Sequence, residues 1–175
     1  MISKKMETAL NEQMGLEAYA SFLYLAMASW CDHQGLRGCT SFMRRQSDEE
    51  KEHMLRIVNY MSTVAGRAVI PAVSQPPQDY DSVRSMFEQV YAHEQKVTKS
   101  INHLVQLADE EKDYSTHHFL QWYIAEQREE EDLMRNILDR IRLIGDGSNS
   151  LYFIDKEVEA INQATASGVG EEGGE

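Results

Sequence analysis

Apolar residues recur at steps of three and four along most of the chain, a spacing that is typical of amphipathic helices. This pattern predicts four long helices, over about residues 3–33, 39–66, 81–108 and 115–144, and a short fifth helix over about residues 151–163. Residues 1–163 are therefore predicted to form a single domain. Residues 164–175, which are rich in glycine and acidic residues, are predicted to be a disordered tail.

The connections between these helices predict how they are arranged. Short turns follow the first and third helices, so each is expected to pack antiparallel to its successor. All three prolines, Pro71, Pro76 and Pro77, lie between the second and third helices, which predicts a long non-helical loop there. Such a loop can carry the chain across the bundle. The predicted fold is therefore all-α, a four-helix bundle with one long crossover loop and a short fifth helix.

Each of the four apolar stripes is interrupted near its middle by a carboxylate. The third helix shows this clearly, because its stripe from Val83 to Ala108 is apolar at every position except Glu94. In the second helix His53 follows Glu50 by three residues, so the two side chains project from one face. The interrupting acids are Glu17, Glu50, Glu94, Glu126 and Glu130. Their distances from the turns place them on roughly one layer of the core.

Acidic side chains buried in one layer repel one another and stay ionised only where cations compensate them. The basic residues expected to point away from the stripes are Lys51, Lys96, Lys99, Arg128 and Arg135. A metal centre resolves the conflict, since carboxylates with one imidazole suit Fe²⁺, Mn²⁺ or Zn²⁺ and bridging carboxylates suit a pair of ions. The sequence therefore predicts a metal pair, with Glu50 and His53 on the same ion.

Composition narrows the possible partners and compartments. The formal net charge is −12 and the pI about 4.9, which argues against nucleic acid as a partner and favours cations. The chain has no apolar run of membrane-spanning length. Its two cysteines, Cys31 and Cys39, predict buried reduced thiols rather than a disulfide framework. We expect a soluble cytoplasmic protein, or one from an organellar stroma if a transit peptide was removed.

The acids fit a known ligand pattern incompletely. Di-iron carboxylate bundles use one Glu from each of two helices and Glu-x-x-His from each of the other two. Glu17 and Glu94 are the single acids here, and Glu50-x-x-His53 is one pair, but the fourth helix offers Gln127-x-x-Glu130. We therefore expect an asymmetric centre whose second ion is held more weakly. The acids left over, which could form a third and looser oxygen site, are Glu49, Glu126 and Glu129.

Four segments resemble the non-haem ferritins, specifically the bacterial-type ferritins with a third iron site: NEQMGLEAY, DEEKEHM, FLQWYIAEQREEE and LYFIDKE. The resemblance covers about residues 3–163. It implies a ferroxidase, an Fe(II):oxygen oxidoreductase that oxidises iron(II) at a di-iron centre and stores hydrated iron(III) oxide inside a shell of 24 copies.

The resemblance also implies roles for individual residues. The ligands of the paired irons would be Glu17, Glu50, His53, Glu94 and Glu130, with Gln127 adjacent and Glu50 as the bridge. The third iron would be held by Glu49, Glu126, Glu129 and Glu130. Tyr24 matches a tyrosine next to the centre that supplies an electron or a hydrogen bond. Lys51 stands where bacterioferritin has its haem-binding methionine, so no haem is predicted.

Two other hypotheses remain open at this stage. The chain could be a di-iron oxidase or oxygenase that acts on a small organic substrate, although little sequence is left over for a substrate pocket. It could also be a structural or regulatory helical bundle whose acids bind stray cations. Particle size separates these hypotheses from ferritin, since only a shell would behave as a very large assembly.

Overall fold

Five helices make up the computed structural model, which describes residues 2–168. They are α1 (Lys4–His33), α2 (Arg37–Thr63), α3 (Val83–Glu111), α4 (Tyr114–Ile144) and α5 (Ser150–Gly168). Every predicted helix is present, and most bounds agree to within a few residues. Helix α5 continues past its predicted end at residue 163 to Gly168. The rest of the predicted tail lies outside the described residues.

The helices pack as two antiparallel hairpins, α1 with α2 and α3 with α4. Cys31 of α1 contacts Met86 of α3, and Tyr24 contacts Glu94, so α1 and α3 also run antiparallel. It follows that α2 and α3 run parallel, and the segment 64–82 between them is the crossover loop. Within residues 2–168, no helix is both long enough and apolar enough to span a membrane.

Local sequence signals determine most helix ends. Ser3, Ser82 and Asp113 accept hydrogen bonds from backbone N–H groups in the first turns of α1, α3 and α4, as good N-cap residues do. Gly145 follows α4 with a φ of +69°, a conformation that glycine adopts without a steric cost. These residues explain why the helix boundaries could be predicted well.

The beginning of α2 has no such local cap, and α5 provides one. The N-cap residue Leu36 makes no side-chain cap hydrogen bond. Instead, the backbone N–H of Cys39 donates to Asp155 Oδ1 of α5 at 2.9 Å. The two helices meet closely here, because a Cβ added to Gly38 would lie 2.2 Å from the Asp155 carbonyl oxygen. Helix α5 is therefore packed directly on the start of α2.

A polar layer divides the core into two apolar clusters. On α3, Val90 belongs to one cluster and Val97 to the other, and Glu94 lies between them. The other three long helices repeat this order, with polar residues between apolar ones. The buried members of the layer are Gln13, Glu17, Gln46, Glu50, His53, Glu94, Gln127 and Glu130. The interrupted stripes of the sequence are thus interruptions of one continuous core.

The apolar stripe predicted for α4 runs through Phe119, Tyr123, Glu126, Glu130 and Leu133, and it is wrong by about one residue in places. Phe119, Glu126 and Leu133 are only partly buried, while their neighbours in the chain occupy the core. The residues that are buried instead are Leu120, Gln127 and Met134. Because an α-helix turns by 100° per residue, this shift moves Glu126 from the core to the edge of the bundle.

Candidate metal centre

Three side chains form a compact group in the polar layer. Ligand atoms from Glu17, Glu50 and His53 all lie within 4.8 Å of one another. His53 Nδ1 is 3.5 Å from Glu50 Oε2, as expected for residues three apart on one helix. All three residues are at most 5% exposed. The structure therefore brings together the predicted Glu-x-x-His pair and the single acid of α1.

Several polar atoms of this group are buried without a hydrogen-bond partner. They include Glu17 Oε2, Glu50 Oε1 and His53 Nδ1. Buried polar atoms are normally paired, because an unsatisfied one costs on the order of 1–3 kcal/mol. Three such atoms lie within one small group, and all three are of types that can coordinate a cation.

The acid of α3 is positioned by hydrogen bonds from two helices. The Tyr24 hydroxyl of α1 donates a short hydrogen bond to Glu94 Oε1. Gln127 Nε2 of α4 donates to Glu94 Oε2 at 3.0 Å. Tyr24 is fully buried, so its hydroxyl is directed at the carboxylate and not at solvent. Tyr24 and Gln127 therefore both lie beside Glu94 in the buried layer.

Two buried glutamines orient Glu17 and Glu130. The sequence pattern did not predict these glutamines as site residues. Gln13 Nε2 donates to Glu17 Oε1 at 2.8 Å, and Gln46 Nε2 donates to Glu130 Oε2 at 3.0 Å. Gln46 lies on the predicted apolar stripe of α2, where a polar residue is out of place. A polar residue at a core position of this kind indicates a side chain that orients a neighbouring ligand, so Gln46 could have been predicted from its place on the stripe.

Burial and mutual repulsion keep the acids partly protonated when no cation is bound. Burial and the charge of Glu50 raise the pKa of Glu17 well above its usual range. Burial and the charge of Glu94 do the same to the pKa of Glu50, and these two causes raise the pKa of Glu130 to about 8. Burial also raises the pKa of Glu94, against the hydrogen bonds from Tyr24 and Gln127. A bound cation would replace these protons.

His53 faces acids on both sides of its ring. Its Nε2 lies 3.6 Å from Glu126 Oε1. Burial lowers the pKa of His53, but the contact with Glu126 and the charge of Glu17 outweigh burial, and the net shift is upward. The imidazole therefore lies between the buried layer, which its Nδ1 faces, and an outer region that contains Glu126.

The outer region is an open groove of about 890 Å³ between α2 and α4, which we call the outer groove. Acidic side chains line it together with two arginines, His53 and several apolar residues. The acids that line it are Glu49, Glu52, Glu126, Glu129 and Glu130, and the arginines are Arg45 and Arg56. The leftover acids of the sequence therefore meet on one side of the buried layer, and Glu130 borders both regions.

Arg45 is a residue that the sequence analysis missed. The basic residues predicted to point away from the core, such as Lys51 and Arg128, are indeed exposed. Arg45 instead points toward the groove and places Nη1 2.5 Å from Glu49 Oε1. The four-residue spacing of Arg45 and Glu49 on one helix was the signal that could have predicted this contact.

Comparisons with known proteins agree on one family. A family model described as a ferritin-like domain matches residues 7–144. A bacterial non-heme ferritin of Campylobacter jejuni is 44% identical over 161 residues, which are 92% of this chain and 96% of that protein. A bacterial non-heme ferritin of Escherichia coli O157:H7 is 41% identical over 162 residues, which are 93% and 98% of the two chains.

Solved structures that are similar to this chain are also ferritins. An open pore ferritin from the hyperthermophilic archaeon Archaeoglobus fulgidus is 46% identical in sequence and superposes with a TM-score of 0.88. The match covers 91% of this chain and 98% of the archaeal one. A structure described as a humanized archaeal ferritin is 43% identical, with a TM-score of 0.88 over 91% of this chain and 96% of its own.

Proposed function

This chain belongs to the ferritin family, and on that premise we propose that it oxidises iron(II) with dioxygen in the buried layer. We further propose that it stores the product as hydrated iron(III) oxide inside a shell of its own copies. The observation that carries this proposal is the layer of buried carboxylates with unpaired ligand atoms, which is costly to fold unless it binds cations.

The ligand assignment is part of the proposal. We assign one iron to Glu17, Glu50 and His53, whose ligand atoms form the compact group. The second iron is assigned to Glu50, Glu94 and Glu130, with Gln127 alongside. We assign Glu50 as the bridge, as the resemblance implies. The negative charge of Glu50 raises the pKa of Glu17, and the charge of Glu94 raises that of Glu50, which supports a position of Glu50 near both acids. The second position has no imidazole and is expected to release its iron more readily.

Pairing two iron(II) ions suits the proposed reaction. Two adjacent ions together supply the two electrons that reduce one O₂, with two protons, to hydrogen peroxide, and each ion becomes iron(III). The carboxylates stabilise the more highly charged product electrostatically. In this chain Tyr24 keeps Glu94 oriented through its hydroxyl, and the glutamine donors do the same for Glu17 and Glu130.

The outer groove supports a role in carrying iron away from the pair. We assign a third iron position to Glu49, Glu126, Glu129 and Glu130, which line the groove beside His53. The oxidised product would pass from Glu130, which borders both regions, toward these acids. Their carboxylate oxygens are suitable ligands for a hard cation such as iron(III).

A shell requires that the chain bury part of its surface against other copies. Large apolar side chains are exposed on α1 and on the crossover loop, among them Phe22 at 54%, Leu25 at 50% and Ile70 at 68%. Exposed apolar groups of this kind favour association. Together with the family membership, they support a homo-oligomer, for which we propose the 24-copy shell.

An aerobic titration with iron(II), combined with size-exclusion chromatography, tests the proposal. We expect a very large assembly that keeps iron in solution far beyond two or three ions per chain, with oxidation that consumes O₂. If uptake stops at two or three ions per chain and the protein elutes as a small particle, storage is excluded. A di-iron oxidase acting on a small substrate would then be the better hypothesis.

A further inference from the structure

The guanidinium group of Arg45 connects three parts of the molecule at the edge of the outer groove. Its Nη1 lies 2.5 Å from Glu49 Oε1. Its Nε donates to Asn162 Oδ1 of α5 at 2.6 Å, and its Nη2 donates to Gln46 Oε1 at 3.4 Å. One side chain therefore touches a groove acid, the fifth helix and a glutamine of the buried layer.

The partners of Arg45 are themselves fixed. Asn162 Nδ2 donates to Ser41 Oγ at 3.2 Å, so both ends of its amide are used and the oxygen is directed at Arg45. Gln46 Nε2 donates to Glu130 Oε2, so its oxygen is directed away from the buried layer. The planar guanidinium can form several hydrogen bonds in fixed directions, which a lysine cannot do.

Arg45 differs in its contacts from the second arginine of the groove. The guanidinium carbon of Arg56 lies over the ring of Trp122, 4.2 Å from its centroid, so its charge is engaged by an aromatic face. The guanidinium carbon of Arg45 lies farther from its aromatic neighbour, 5.4 Å from the centroid of the Phe42 ring. Arg45 in addition forms an ion pair with Glu49, a carboxylate that we assign to the third iron position. The side chains of this pair are 19% and 29% exposed, so the pair is only partly screened by water.

We propose that Arg45 is a positioning residue, which competes with the outgoing cation for the carboxylate of Glu49. Asn162 holds the Arg45 guanidinium in place for this competition. The inference rests on the proposed function. A cation that binds Glu49 Oε1 has to displace Nη1 from it. This competition lowers the affinity of the groove for iron relative to the buried layer. Iron leaving the pair would then pass through the groove without being retained there.

Zinc binding to the metal-free assembly tests this proposal without any redox chemistry. Calorimetric titration with Zn²⁺ alone reports the buried and groove positions as separate affinities. For Arg45→Gln we expect a three- to tenfold gain in groove affinity, roughly the strength of a partly exposed ion pair. The affinity of the buried position formed by Glu17, Glu50 and His53 should change by less than about twofold, because no contact joins Arg45 to these ligands in the described residues. The other buried position can change more, since Arg45 reaches Glu130 through Gln46.

Three further variants separate competition from a merely structural role. Arg45→Lys keeps the positive charge and should restore the weak groove affinity, at least in part. Asn162→Ala leaves Arg45 present but less firmly held, so its gain should be smaller than that of Arg45→Gln. Arg44→Gln removes a charge from an exposed neighbour on the same helix and should change nothing. A general loosening of α5 would instead weaken buried and groove positions together.

An unchanged or reduced groove affinity in Arg45→Gln overturns the proposal, as does an equal effect of Arg44→Gln. Failure of the proposed function looks different. If the wild-type assembly binds no Zn²⁺ at the buried positions, the di-iron assignment fails. The comparison of groove binding between the wild type and Arg45→Gln can still be made in that case. If the wild type shows no groove binding, its appearance in Arg45→Gln supports the competition and its absence there contradicts it.

Discussion

At the scale of single residues, the centre is built from acids whose oxygen atoms have different partners. Glu94 has both oxygens occupied by donors, from Tyr24 and Gln127. Glu17 and Glu50 each leave a buried oxygen without a partner. The first kind of acid is oriented before a metal arrives, and the second kind has free capacity to bind one.

The proposed bridging role of Glu50 gives a prediction that separates Glu50 from His53. Glu50→Ala should abolish binding of both buried ions, because both are assigned to its carboxylate. His53→Ala should strongly weaken the binding of one ion and leave the binding of the other unchanged. Anaerobic binding stoichiometry measures this, and Lys51→Ala, at an exposed position beside Glu50, is the matched control. If Glu50→Ala still binds one ion with wild-type affinity, Glu50 is not a bridge.

Single residues also determine how stability depends on pH. The pKa values of Glu17, Glu50 and Glu94 are raised in the folded protein, and that of Glu130 is raised to about 8. A carboxyl group with a raised pKa binds its proton more tightly when the chain is folded. Its stabilising contribution is complete below the unfolded value of 4.5 and is lost as the pH rises through the folded value.

We therefore expect the metal-free protein to become less stable between pH 5 and pH 8, with a fall in Tm of roughly 5 °C or more. The upward pKa shift of His53 acts in the same direction. Zn²⁺ replaces the protons, so it should raise Tm more at pH 8 than at pH 5. Scanning calorimetry at both pH values, with and without Zn²⁺, provides the measurement. A metal-free Tm that rises with pH over this range would contradict the account.

At the scale of helices, α4 contributes two different surfaces to the site. Gln127 and Glu130 point into the buried layer, whereas Glu126 and Glu129 line the outer groove. Residues three apart share a face of the helix, as Gln127 and Glu130 do and as Glu126 and Glu129 do. The two pairs are offset by one residue, which rotates one pair by 100° about the helix axis relative to the other. The two surfaces correspond to the two proposed steps, oxidation in the layer and transfer in the groove.

This division predicts a selective effect of Glu129→Ala. The first two irons per chain should be oxidised at the wild-type rate, since the buried layer is intact. The third iron should bind much more weakly, so later turnovers change. Stopped-flow oxidation with two and then further irons per chain checks this, and Asp132→Ala, an exposed acid on the same helix outside the groove, is the control. A slower first oxidation would place Glu129 in the paired site.

Packing of α5 on α2 gives a stability prediction. Gly38→Ala would place a methyl group 2.2 Å from the Asp155 carbonyl oxygen and 2.9 Å from Glu159 Cβ, so α5 has to move. We expect a loss of about 2 kcal/mol or more, as for other overpacked sites. Gly147→Ala, which has no heavy atom within 4 Å of its new Cβ, should cost far less. Equal unfolding temperatures for both variants would contradict the close contact.

Helical periodicity was sufficient to predict the five helices and most members of the buried polar layer, because it depends on neighbours in the chain. Glu17, Glu50, His53, Glu94 and Glu130 stood out as polar residues on apolar stripes. The apolar stripe of α4 was less certain, because Glu126 and Gln127 are both polar and periodicity does not choose between them. Asp155 capping α2 and Asn162 holding Arg45 depend on contacts between distant residues, which no local pattern reports.

At the scale of the whole molecule, the polar layer lies near the middle of all four long helices, between the two apolar clusters. The hairpin of α1 and α2 contributes Glu17 and Glu50, and the hairpin of α3 and α4 contributes Glu94 and Glu130. The crossover loop joins these two hairpins. The polar layer between two apolar clusters is held rigidly by hydrophobic packing on both sides. The bundle therefore holds these buried acids in fixed positions, as the proposed cation site requires.

The measurement that tests this account most directly is diffraction from crystals loaded anaerobically with iron(II), recorded at the iron absorption edge. The account predicts two anomalous peaks per chain in the buried layer. One should contact Glu17, Glu50 and His53, and the other Glu50, Glu94 and Glu130. Iron found only in the outer groove or on the surface, with no peak in the layer, would contradict the central claim that these acids form a di-iron centre.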